Sequence, residues 1–139
     1  MLEPARHLIF HGAIVLLIGL VCGAPYARAI KRNAPAHTVH AWRVAHASLP
    51  IGAGLMLAAA ASMPLLSVGP GLLWGVALSL IVSSYAFCIS LPLGAVVEHR
   101  GLSSEGPWQA KAVYAGNMVG AWSSLVGAVL LVVAGYLSL

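Results

Sequence analysis

Apolar residues run through this chain in long blocks, and a few charged residues cut the blocks apart. Twenty-one residues without Asp, Glu, Lys or Arg separate Arg6 from Arg28, and 54 separate Arg43 from Glu98. The last 28, Ala112 to Leu139, carry none. A helix crossing the hydrocarbon of a bilayer takes about 20 apolar residues. The middle block is more than twice that length and is interrupted at Met63-Pro64 and Gly69-Pro70-Gly71, so it reads as two spans. The pattern predicts helices over about 7–26, 44–66, 71–97 and 112–137. Strands are excluded in lipid, where an open sheet edge leaves backbone N–H and C=O groups unsatisfied. The expected fold class is all-α: an integral membrane four-helix bundle in a single transmembrane domain, 1–139.

Composition agrees with that reading. The chain is 60% hydrophobic and 7% charged, against about 25% charged residues in a soluble domain. The first block has features of a secretory signal, with Arg6, an apolar stretch and Ala27-Arg28-Ala29, but it is read as a helix of the mature protein. The net charge of +4 marks a membrane face rather than a nucleic-acid surface. Arg28, Lys31, Arg32, Arg43, Arg100 and Lys111 lie in or beside the first and third loops, and only Arg6 lies at the other side. Basic residues favour the cytoplasmic side. Loops one and three are therefore expected in the cytoplasm and both termini outside, in a membrane such as the bacterial inner membrane.

Small residues mark where helices approach: Gly19-x-x-x-Gly23 in the first, Gly52-Ala53-Gly54 and Ala58 to Ala61 in the second, Gly116-x-x-x-Gly120 and Gly127 in the fourth. Such contacts form within one chain or between chains. A bundle this small has little interior room, so a large cofactor calls for a subunit interface and hence a homo-oligomer.

The polar residues inside the blocks are the candidates for chemistry. His46 lies about one turn inside the longest apolar run, in Trp42-Arg43-Val44-Ala45-His46-Ala47-Ser48-Leu49-Pro50. An ionisable group at membrane depth marks a functional site by default. His11 lies near the far end of an antiparallel helix, roughly 20 Å away in depth, too far for one haem or metal to bridge both within one bundle. His11 is read as a hydrogen-bonding residue between helices; for His46, a ligand role and a helix contact both stand. His7 sits at a helix end, and His37, His40 and His99 in loops; His37-x-x-His40 lacks the cysteine or carboxylate that would complete a zinc set. Ser83, Tyr85 and Asn117 are the polar groups placed to line a pocket, although buried serines usually bond back to their own helix. Trp42, Trp74 and Trp108 fit interfacial anchors. Cys22 and Cys88, in separate runs, fit buried apolar residues, as do Met56 and Met63. No carboxylate lies inside a span, and the chain has no nucleotide-binding glycine loop, serine-nucleophile elbow or redox cysteine pair. A charged intramembrane relay for proton pumping is also missing.

The chain resembles the styrene oxide isomerase family. The resemblance rests on His11-Gly12, Trp42-x-x-Ala45-His46 with Pro50 following, Arg100-Gly101-Leu102 and Gly135-Tyr136. These are small four-span membrane proteins that carry haem b, form trimers with haem at subunit contacts, and convert aryl epoxides to aldehydes. The resemblance implies that His46 is the axial haem ligand, with Trp42 and Pro50 beside it as cofactor-binding candidates; Tyr85, Ser83 and Asn117 are the candidates for the groups that orient a lipophilic substrate. Where the family has an asparagine, an aspartate and a tyrosine around the substrate, this chain has Gly52, Ser83 and Leu91, with Tyr85 close by. The proline also falls one residue later relative to the histidine. The chemistry implied is Lewis-acid opening of the epoxide followed by a hydride shift. The expected partners are a lipophilic small molecule, the lipid bilayer and further copies of the chain, a trimer by resemblance, with no nucleic acid. Two other readings stay open: a haem protein for electron transfer, sensing or haem handling, with His11 or Met56 of a neighbour as second ligand, and a haem-free scaffold or transporter.

Overall fold

The computed structural model describes residues 2–139. The helices are α1 (Glu3–Val21), α2 (Gly23–Lys31), α3 (Ala36–Ser62), α4 (Pro70–Val97) and α5 (Trp108–Leu137), with no strand among the described residues. They make four apolar spans, Glu3–Lys31, Ala36–Leu65, Pro70–Val97 and Trp108–Leu137, each long enough to cross a membrane.

Proline placement explains most boundaries. Pro25 has no N–H to give the Val21 carbonyl and its ring crowds that carbonyl, so the first span breaks between α1 and α2 at Cys22. That span therefore starts at Glu3 instead of near 7 and runs beyond 26 as a short basic helix, with Arg28 and Lys31 in its last turn. Pro35, extended at φ −51° and ψ 144°, precedes α3. That helix begins at Ala36 rather than near 44, so His37 and His40 stand on a helix and not in a loop. Hydropathy marks only the part of a helix inside hydrocarbon, and these first turns project beyond it. The helix ends in a single 3-10 turn, Met63–Leu65, at Pro64. The following connection is tied down where Ser67 N–H donates to Ser138 Oγ (2.9 Å) at the far end of α5.

Span α1–α2 packs along α3, α3 packs on α4, and α4 packs on α5. The core between α1, α3 and α4 is built from Leu8, Val15, Leu49, Ala53, Met56, Met63 and Val76. Helix α5 lies on α4 through its glycines: a Cβ at Gly116 would meet Ser90 at 2.7 Å, and one at Gly120 would meet the Phe87 ring at 2.8 Å. Large apolar side chains such as Phe10, Leu17, Ile51, Leu55, Val132 and Tyr136 remain exposed on the outside of the bundle, as they must where the solvent is lipid.

Candidate functional site

Helix α3 carries His46 to its contact with α1. The imidazole Nδ1 lies 2.9 Å from the Gly19 carbonyl oxygen. A carbonyl only accepts, so Nδ1 carries the proton and donates. In the neutral ring, Nε2 then keeps its lone pair. Metal-ligating histidines are usually fixed in this way, the second ring nitrogen donating to a carbonyl or carboxylate.

Two absent side chains make this placement possible. A Cβ at Gly23 would stand 3.0 Å from His46 Cε1, so the half-buried ring occupies space that only glycine leaves open. A Cβ at Gly19 would collide with the Pro50 ring, where α1 and α3 come closest. Pro50 also gives up the hydrogen bond to the His46 carbonyl and so loosens α3 just beyond the histidine. Tyr26 of α2 lies over the imidazole, ring centroids 6.0 Å apart. Trp42, one turn earlier, packs partly buried against the core. Thus Trp42, His46 and Pro50 do form one neighbourhood, with Gly19, Gly23 and Tyr26 added from the first span.

The three orienting candidates do not converge. Ser83 is buried and donates to the Gly120 carbonyl across the α4–α5 contact (2.7 Å). Tyr85 faces α1, its hydroxyl 2.9 Å from His11 Nδ1. His11 in turn stacks on His7, which lies against Trp74. The role expected of His11, a helix-to-helix hydrogen bond, is the one it plays. Tyr85→Phe should therefore lower stability by about 0.5–1.5 kcal/mol, the net worth of one such bond. A thermal melt in detergent reads this as a drop of a few degrees. Asn117 lies near the start of α5, where Nδ2 donates to the carbonyls of Arg100 (3.2 Å) and Gly101 (3.3 Å). Gly101 takes φ +64° directly against it. The side chain thus holds the α4–α5 loop to the bundle.

Ser83 instead lines a cavity of about 320 Å³. It lies between α3, α4 and α5, with Ile51, Leu55, Met56, Phe87 and Ser84 among its walls. Gly52 and Leu91 line it too. The three positions that depart from the pattern of the resembled family therefore meet in one apolar chamber. Three of its four serine protons are spent inward: Ser83 on Gly120 O, Ser84 on the Met56 thioether (3.1 Å) and Ser124 on Ala121 O (2.8 Å), while Ser48 lies exposed. Met56, 1% exposed and accepting that bond, is core as expected. Ser84 could have been found only by knowing which face of α4 meets α3, and α4 is apolar all round.

At about 100° per residue, Gly52 and Leu55 point away from the α1 side of α3 that His46 and Pro50 share. The imidazole and the chamber thus occupy opposite faces of one helix. This is a small four-span membrane protein that presents the imidazole of His46 on one face of α3 and a largely apolar chamber on the other. Its sequence matches the family model described as styrene oxide isomerase over residues 4–136, nearly the whole chain, and the protein belongs to that family. No curated protein and no solved structure matches it.

Proposed function

We propose that the protein is a membrane epoxide isomerase that holds haem b on His46 and turns a lipophilic epoxide, such as an aryl epoxide, into an aldehyde. The observation that carries this reading is the bond from His46 Nδ1 to the Gly19 carbonyl, which leaves Nε2 free at a half-buried position. One imidazole is enough to hold haem from one side. The close approach allowed by Gly23 seats the ring against the first span and supports that role.

Haem held there by His46 would supply a Lewis acid for the epoxide oxygen. The chain does the rest. The carbonyl of Gly19 holds the imidazole in one tautomer and one orientation. The chamber walls, Ile51, Leu55, Phe87 and Leu91, exclude water. Dryness decides the product: as the C–O bond opens, positive charge develops at carbon, and a nearby water would capture it as a diol. Without water, a hydride moves from the neighbouring carbon and the aldehyde forms. Nucleophiles in the wall are restrained in the same way, since the Met56 sulfur already accepts the Ser84 proton.

Because His46 and the chamber face opposite ways, a complete site takes two copies, one offering the imidazole and the next offering the chamber. A homo-oligomer, a trimer as in the family, satisfies this. The basic loops, Arg28 to Arg43 and Arg100 to Lys111, face the cytoplasm in this arrangement.

The electron-transfer alternative needs a second ligand, and the Met56 sulfur is already engaged as acceptor of the Ser84 proton. The test is direct: purified protein supplied with haem and styrene oxide should release phenylacetaldehyde, measured by gas chromatography. Haem-loaded protein that forms no aldehyde from any aryl epoxide would sink the reading. Gly52→Leu gives a sharper form of it. Nothing lies within 4 Å of a Cβ at Gly52, so leucine fits the fold but occupies the chamber. Turnover of bulky epoxides should fall by about tenfold or more while the melting temperature holds, since one misplaced ångström at a reacting centre costs about a hundredfold.

A further inference from the structure

A second cavity, about 480 Å³, opens at the end of the bundle that carries the basic loops. It lies between the first turns of α3, the last turns of α4 and the start of α5, with Val44, Ser90, Leu91, Glu98, Arg100 and Asn117 in its lining. Leu91 belongs to both cavities and is the wall between them.

Two polar atoms in this lining are buried without a partner, Ser90 Oγ and Asn117 Oδ1. Ser90 is only 1% exposed. A helical serine at such a place ordinarily bonds back to a carbonyl one turn earlier, as Ser62, Ser124 and Ser138 do here. Ser90 does not, so its proton is free to donate. Asn117 cannot turn away either, because its Nδ2 is fixed on the Arg100 and Gly101 carbonyls, and its Oδ1 is left as an open acceptor. A buried polar group left unsatisfied is costly, so a pair of them around one cavity marks a place for a ligand with both donor and acceptor.

The two cavities differ in what they offer. Of the four serines that line the chamber, the buried Ser83 and Ser84 and also Ser124 already donate their protons, and only the exposed Ser48 does not. An epoxide is a weak acceptor and suits such a wall. Its isomer, the aldehyde, has the same volume but a stronger acceptor oxygen. It also adds water to give a geminal diol, which donates as well as accepts. Ser90 and Asn117 complement that pair of groups. The rim is polar: Glu98 accepts from Thr38 (2.9 Å) and lies 3.4 Å from His37 Nε2.

We propose that this cavity is a second ligand site, a polar vestibule in which Ser90 donates to the carbonyl oxygen of the product that arrives from the apolar chamber past Leu91, Asn117 accepts from its hydrate, and the product leaves toward the basic loops. The identity of the ligand as product rests on the isomerase reading above. Epoxide enters from lipid, where Ile51 and Leu55 of the chamber wall are exposed, and a carbonyl compound leaves toward water. The reaction that consumes it is then an aldehyde oxidation or reduction on the basic-loop side.

The test uses benzyl methyl ketone, a carbonyl compound that the enzyme cannot isomerise. In full-length protein with Cys22 and Cys88 replaced by alanine, Val44→Cys is placed in the vestibule and treated with a charged methanethiosulfonate reagent. The ketone should slow the modification, and adding Ser90→Ala should raise the ketone concentration needed by about fivefold, the worth of one neutral hydrogen bond. Ala41→Cys, on the same lining, replaces Val44→Cys if that variant does not fold. No protection by the ketone, or protection that Ser90→Ala leaves unchanged, overturns the proposal. Aldehyde formation from styrene oxide is measured on the same preparation. Protection without aldehyde formation sinks the isomerase reading and leaves the vestibule as a carbonyl site; aldehyde formation without protection sinks the vestibule alone.

Discussion

His46→Ala should abolish the Soret band of the purified protein. Every other expected property of the proposed haem site passes through this residue, because among the described residues no group of three potential metal ligands comes together to share the load. A site with one protein ligand has no reserve. Losing a residue that merely orients a ligand typically costs 10- to 100-fold in metal affinity, and losing the ligand itself should cost at least that. The fold should survive, since the ring is half-buried at the α1–α3 contact and alanine leaves the helix propensity intact. The melting temperature should fall by only a few degrees, for the lost Gly19 bond of about 1 kcal/mol. Free imidazole added to the variant should restore part of the band by taking the vacated space. A Soret band of undiminished intensity in His46→Ala would show that the haem is held elsewhere.

The sequence states the spans well because lipid imposes a length and a polarity on them: residues 7–26, 71–97 and 112–137 fall inside observed spans, and 44–66 overruns its span by one residue. It states the ends poorly. His37 and His40 look like loop residues by hydropathy, yet the helix of His46 extends out to them. His46 itself stands out because an imidazole among alanines and leucines is rare. Its partner does not: Gly19 is 27 positions earlier and contributes a backbone carbonyl, which leaves no mark in the side-chain pattern. The Gly19-x-x-x-Gly23 motif reads correctly as a close helix contact, but not as the seat of the imidazole. The chamber is hidden for another reason. Apolar residues cover every face of α4, so nothing in its sequence separates Ser83, which faces the chamber, from Tyr85, which faces His11. Only the packing does that.

Gly19→Leu should be among the most damaging single changes in the chain, and it should act on stability and haem together. A Cβ at this position overlaps the Cδ of Pro50, and Leu49 Cβ stands 2.9 Å away. Neither neighbour can yield cheaply. The proline ring is fixed to its own backbone, and Leu49 is 2% exposed in the core. Relief must therefore come from moving α1 and α3 apart. Overpacking of this kind costs about 1–3 kcal/mol or more. In lipid no hydrophobic force draws the helices back, because the tails are as apolar as the side chains, and van der Waals packing and polar contacts must hold them. Separation also carries the Gly19 carbonyl away from His46 Nδ1, now 2.9 Å apart. The imidazole then loses its fixed tautomer. The expected result is a melting temperature lowered by roughly 5 °C or more, with haem affinity reduced by about tenfold in whatever protein remains folded. Gly23→Ala separates the two effects. It crowds the imidazole at 3.0 Å while sparing the Pro50 contact, so it should weaken haem binding with a smaller loss of stability. Equal losses of stability in the two variants would mean that the α1–α3 contact at Pro50 is not where the packing is tight.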